Sequence, residues 1–129
     1  MLKIGAVVAK LGISADTLRY YEKIELMPAV QRNSAGIRFY NDKNLSQIRF
    51  IKRAQRMGFS LQEIAQLLIF REQPQQARPE IRELAYTKLM DIENHLQDLQ
   101  SLRNELQLLV SLCASSEDGC PIIEGLEEY

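Results

Sequence analysis

The apolar positions of this chain fall into two regimes. In the first half they come in short bursts at helical spacing, each closed by a turn residue. Ile4, Val7, Val8 and Leu11 form one burst, Gly12 supplies a turn, and Ser14 is placed to cap a second helix through Thr17-Leu18-Arg19-Tyr20-Tyr21-Glu22. Leu26-Met27-Pro28 closes that helix. Residues Arg32 to Tyr40 then alternate around a turn containing Asn33 and Gly36, the pattern of a β-hairpin. A third burst, Leu45, Ile48, Ile51 and Ala54, leaves Arg49, Lys52, Arg53 and Arg56 elsewhere on its helix surface. Gly58 ends it, and Ser60 with Glu63 three positions later stands in capping-box register for a fourth helix.

The second regime is one long stripe. From about Arg78 to Leu112, Ile81, Leu84, Leu89, Ile92, Leu96, Leu99, Leu102, Leu106 and Leu109 recur every three or four positions between polar residues. This predicts a coiled-coil type of helix, about 50 Å long at roughly 1.5 Å per residue. A single copy would leave the stripe in water, so a second copy, making a homodimer, is its expected cover. His95, the only histidine, sits in this helix and reads as a surface or interface residue.

Two short helices joined by a glycine turn make a minimal helix-turn-helix, and the hairpin supplies a wing. The expected fold is therefore mainly α. A winged helix-turn-helix occupies residues 1–70, a linker 71–77, a dimerisation helix 78–112, and a loop with a short C-terminal helix 113–129.

Charge sharpens this picture. The formal net charge of −1 hides a division: up to Gly58 eleven Lys/Arg oppose four Asp/Glu, net +7, and from Phe59 onward five oppose thirteen, net −8. A basic module for a polyanion joined to an acidic module with another task explains such asymmetry. The wing arginines Arg32 and Arg38 are placed to reach phosphates beside the groove that the second helix enters, so duplex DNA is the expected partner. Arg53 and Arg56 fit phosphate contacts or a solvated face equally well. No apolar run approaches the length of a membrane span and the first residues lack a signal-peptide core, so the expected location is cytoplasmic, with no membrane partner. No phosphate-binding loop, dinucleotide fingerprint or hydrolase set occurs, which argues against an enzyme.

The two cysteines, Cys113 and Cys120, flank a six-residue polar loop. In a reducing compartment such a pair is expected to bind metal or sense redox state rather than form a lone structural disulfide. Pro121 fits the first position of a short helix, which puts Cys120 at a helix N-terminus, where the dipole favours thiolate. One histidine and two cysteines cannot make the four-ligand site of structural zinc. Two thiolates satisfy a soft monovalent ion, Cu(I), Ag(I) or Au(I). Divalent Zn, Cd, Pb or Hg, a redox dithiol, or two ordinary thiols remain open.

The order Ile4-Gly5, Ala9, Gly12, Thr17-Leu18-Arg19-Tyr20-Tyr21-Glu22, Leu26, Pro28, Arg32, Gly36, Arg38, Tyr40 and Gly58-Phe59-Ser60-Leu61 closely resembles the DNA-binding domain of the mercury-resistance-regulator (MerR) family. The match spans roughly residues 3 to 70. It implies DNA contacts from Thr17, Arg19, Tyr20, Arg32, Asn33, Gly36, Arg38 and Tyr40, with Arg53 and Arg56 as further candidates. Of the adjacent tyrosines, Tyr20 is expected toward DNA and Tyr21 toward the core. Two positions depart from the family. Glu25 replaces a glycine and is expected to carry a positive φ, and Ile37 replaces a wing tyrosine.

The Cys113 and Cys120 pair with Cys-Pro-Ile-Ile-Glu is similar to the metal-sensing branch, especially its copper-efflux regulators (CueR), although the loop is one residue shorter. Where divalent-metal members place a third cysteine, this chain has Arg78, which has no lone pair to give. The resemblance implies an antiparallel coiled-coil dimer on a palindrome between promoter elements with an over-long spacer. Metal capture would distort the DNA and realign the elements for RNA polymerase, so the polymerase is engaged only through DNA. A small copper carrier or a multidrug sensor is the rival. The first would not need a basic wing, and the second would need a larger C-terminal ligand domain than the nine residues after Cys120.

Overall fold

The computed structural model describes residues 1–27 and 30–115. The expected helix end at Pro28, the loop from Ser116, Cys120 and the short C-terminal helix lie outside the described residues. Two compact units are resolved, Met1–Leu84 and Ala85–Tyr129.

The first unit runs β1 (Leu2–Lys3), α1 (Ile4–Leu11), α2 (Ala15–Lys23), β2 (Gln31–Arg32), β3 (Arg38–Tyr40), α3 (Asp42–Arg56) and α4 (Leu61–Glu72). A 3-10 turn at Pro74–Gln76 follows, then the start of α5 (Pro79–Ala114). Local chemistry sets most of these boundaries. Gly12 takes a left-handed φ of 64° and ends α1, while Ser14 accepts a hydrogen bond from the Thr17 amide to open α2. Gly58, at φ 82°, follows α3, and Ser60 and Glu63 close a reciprocal capping box on α4. A second capping box, Asn41 with Asn44, opens α3.

The sheet has the order β1-β3-β2, all antiparallel, with Leu2 opposite Tyr40 and Arg32 opposite Arg38. Strand β1 was not expected from the sequence, because two residues are too few to show alternation. The bend between β2 and β3 is held by Asn33, whose Oδ1 accepts from the amides of Ala35 and Ile37 at 3.0 and 2.9 Å. Gly36, at φ 79°, supplies the left-handed residue of this turn.

Helical periodicity identifies the core. Val7 of α1, Leu18 and Tyr21 of α2, Leu45, Ile48 and Ile51 of α3, and Ile64 and Leu68 of α4 pack into one buried cluster with Tyr40. Each such side chain contributes roughly 1.5–3 kcal/mol on burial. Lys52 ties the cluster's edge to α1: its Nζ donates to the Leu11 carbonyl at 2.5 Å, at the end of α1 where carbonyls lack helical partners.

Helix α4 runs to Glu72, and α5 runs to Ala114, so Cys113 lies inside the long helix instead of following it. Helix propensity in Leu112-Cys113-Ala114 carries the last turn onward. In the second unit, Leu89, Leu96, Leu99, Leu102 and Leu106 are exposed along α5. His95 is exposed as well. No helix among the described residues is long and apolar enough to cross a membrane.

Candidate functional site

Helix α2 and the hairpin place the expected DNA-reading residues. Tyr20 is 49% exposed, whereas Tyr21 is buried and its hydroxyl donates to Gln55 Oε1 of α3 at 2.6 Å. The adjacent tyrosines therefore split as periodicity demands, one outward and one into the core. Arg19, exposed on the same helix, pairs with Asp16 at 3.1 Å. Thr17 is half-buried, and its hydroxyl lies 2.7 Å from that of Ser14, so it shares in the cap.

The wing arginines converge on Glu22. Its Oε2 accepts from Arg38 Nε at 2.7 Å, and its Oε1 lies 3.7 Å from Arg32 Nη2. Arg19, Lys23, Arg32 and Arg38 line one cleft of about 210 Å³ together with Glu22. Four cations face one carboxylate there, an arrangement suited to an anion such as a backbone phosphate. Sequence reasoning missed Glu22 and Lys23. Glu22 stood inside the recognised motif, but its pairing spans 16 residues and leaves no local signal.

Other expected residues fall elsewhere. Tyr40 is 1% exposed, and its hydroxyl is buried with no hydrogen-bond partner among the described residues, so its expected DNA contact is corrected to a core role. Its position opposite Leu2 in the sheet turns it inward, and burial pushes its phenol pKa up, with the Glu22 carboxylate adding to the rise. Asn33 and Gly36 are exposed, and the structure gives both a turn-forming role. Ile37 is exposed and bonds to Asn33 through its backbone alone. Arg53 and Arg56 are exposed at the C-terminal end of α3 and do not line the cleft. Glu25 has φ 59°, as expected for a side chain standing where the turn wants glycine.

Of the two thiols, Cys113 is half-buried in the last turns of α5, and Cys120 lies outside the described residues. Among the described residues no group of three His, Cys, Asp or Glu side chains is placed to hold a metal. Arg78, at the edge of α5, is exposed.

Comparison with known proteins agrees with this geometry. Residues 2–69 match the MerR HTH family regulatory protein profile, and residues 45–109 match the profile described as MerR, DNA binding. The chain is 33% identical to the mercuric resistance operon regulatory protein of Bacillus cereus over 126 residues, covering 96% of each chain. It is 32% identical to the regulator CueR of Escherichia coli O6:H1, covering 92% of this chain and 90% of that one. The crystal structure of a Ralstonia metallidurans CH34 transcription regulator in complex with lead(II) superposes with a TM-score of 0.60 at 29% identity, covering 98% and 99% of the two chains. These relatives are transcriptional regulators and not enzymes. With its glycine-joined helices, its wing and its full-length relatives taken together, the chain belongs to the MerR family of helix-turn-helix transcriptional regulators.

Proposed function

We propose that the chain is a metal-responsive transcription activator that binds a palindromic promoter site as a homodimer and responds to a soft monovalent ion, Cu(I), Ag(I) or Au(I). The observation that carries the DNA part is the cleft where the recognition helix's Arg19 and Lys23 meet the wing's Arg32 and Arg38. Exposed Tyr20 beside it, and Arg53 and Arg56 farther along α3, extend the contact surface. Asn33 and Gly36 shape the wing that carries the arginines.

Cys113 and Cys120 would hold the ion in the reduced chain. Thiolates select soft metals, and two sulfurs satisfy linear coordination without a third ligand. Arg78, where divalent-metal members of the family place a cysteine, supports the two-ligand reading. Pairing of α5 with a second copy accounts for the exposed leucines and sets two reading heads on one palindrome. Metal acts by binding one dimer conformation better than the other. A few kcal/mol of preference reverses a two-state population, and DNA distortion costs a similar amount. RNA polymerase feels this only through the DNA.

A second reading, a divalent-metal sensor, is favoured by two relatives, one a mercuric resistance regulator and one crystallised with lead(II). Anaerobic titration of the reduced protein, with sulfur coordination number read by X-ray absorption, separates the two. Tight two-sulfur Cu(I) sites with weak Zn(II) are expected. A three- or four-ligand Zn(II) site transfers the chain to the divalent class. Metal-dependent transcription that survives both Cys113→Ser and Cys120→Ser contradicts either form of the proposal.

A further inference from the structure

We infer that Glu22 is the positioning residue of the DNA-reading surface: its carboxylate fixes Arg38 and Arg32 so that the wing and α2 meet the DNA backbone as one unit. The inference rests on the DNA-binding reading above.

The base of the wing is held by β1–β3 pairing and by Val30 and Tyr40 in the core, but its outer part is thin. Strand β2 is two residues long and exposed, and β3 is three residues long. Glu22, by contrast, stands on a helix anchored through Leu18 and Tyr21 in the core, and its side chain is only 15% exposed. Screening is weak at such a position, and a carboxylate shared between two guanidinium groups resists displacement. Arg38 is engaged through Nε, which leaves its two terminal nitrogens for another acceptor. The cleft shared with Arg19 and Lys23 is where that acceptor would sit.

A carboxylate near a phosphate backbone should by itself weaken binding through charge repulsion. Removing it as a mere bystander would therefore tighten the complex. Removing it as the anchor of two arginines would loosen the complex. The two roles predict opposite signs.

The test uses the full chain and a duplex enriched by the wild-type protein from a randomised DNA pool. Affinities are measured over a salt series for wild type, Glu22→Gln, the double variant Arg32→Ala with Arg38→Ala, and the triple variant, with thermal unfolding recorded for each. Glu22→Gln is expected to lose about tenfold in affinity and to lower the salt slope by roughly one. In the Arg32→Ala, Arg38→Ala background the loss is expected to vanish or to turn into tighter binding, because the carboxylate is then only a repelling charge. Equal or tighter binding by Glu22→Gln overturns the inference, and so does an undiminished loss in the double-alanine background. Should Glu22→Gln not fold, Glu22→Asp keeps the charge while shortening its reach. A several-fold loss of affinity there supports positioning, and unchanged affinity overturns it. A wild-type chain that enriches no duplex overturns the DNA-binding reading itself, and this inference with it.

Discussion

The Tyr21 hydroxyl donates to Gln55 Oε1 at 2.6 Å, joining α2 to the last turn of α3 across 34 residues of sequence. The bond is part-buried, so a lost partner is not fully replaced by water. Tyr21→Phe is expected to cost about 1–2 kcal/mol in unfolding free energy, and Gln55→Ala a similar amount. Their double variant should cost less than the sum of the two, as measured by urea denaturation. Additive losses would mean that the two groups act independently.

Burial raises the pKa values of both Tyr21 and Tyr40. The unfolded chain releases these phenol protons near pH 10, while the folded chain still holds them. Their contribution to stability is therefore complete below about pH 10 and is lost as pH rises through the raised folded values. Thermal midpoints are expected to fall across that alkaline window, and the double variant Tyr21→Phe with Tyr40→Phe should flatten the fall. Tyr40→Phe alone removes a buried hydroxyl that has no partner among the described residues, and is expected to leave stability equal or raise it by about 1 kcal/mol. DNA affinity should not change, because the ring stays in the core.

Glu25 holds a left-handed φ of 59° after the end of α2. Such a conformation costs a non-glycine residue about 1–2 kcal/mol, partly offset by the entropy that glycine loses on folding. Glu25→Gly is expected to raise the denaturation midpoint by the equivalent of about 0.5–1 kcal/mol. A lowered midpoint would show that the side chain contributes more than its backbone strain costs.

Leu99 is 49% exposed in the middle of the α5 stripe. Leu99→Glu places a charge where the proposed partner helix must pack. Analytical ultracentrifugation is expected to find a monomer at concentrations where wild type is a dimer. A wild-type chain that sediments as a monomer would contradict pairing through α5.

Features encoded within a few residues were legible in the sequence. Ser14, Gly58 and the Ser60–Glu63 pair each announce a helix end through one local hydrogen bond or one permitted φ, and the structure has each of them. The positive φ of Glu25 was expected from the resemblance instead, because the family places a glycine there. What the sequence hid was long-range. Lys52 read as one of several surface cations, yet it donates to the Leu11 carbonyl 41 residues away. Tyr40 was expected at the DNA because the family resemblance implied it, and alternation over three residues does not say which face is the core. The convergence of Arg32 and Arg38 on Glu22 needs the fold before it can be seen.

Helices α2, α3 and α4 each open on a cap whose two partners lie three residues apart. Such ends form as fast as the local chain can search, on the order of a microsecond or less for a single helix. In the homodimer proposed above, pairing through α5 must instead wait for two chains to collide, so its rate would scale with how many copies a cell holds. Such a chain would own a finished reading head before it owns a partner. The abundance of the protein, rather than its folding, would then set the delay before both half-sites of the proposed palindrome are occupied.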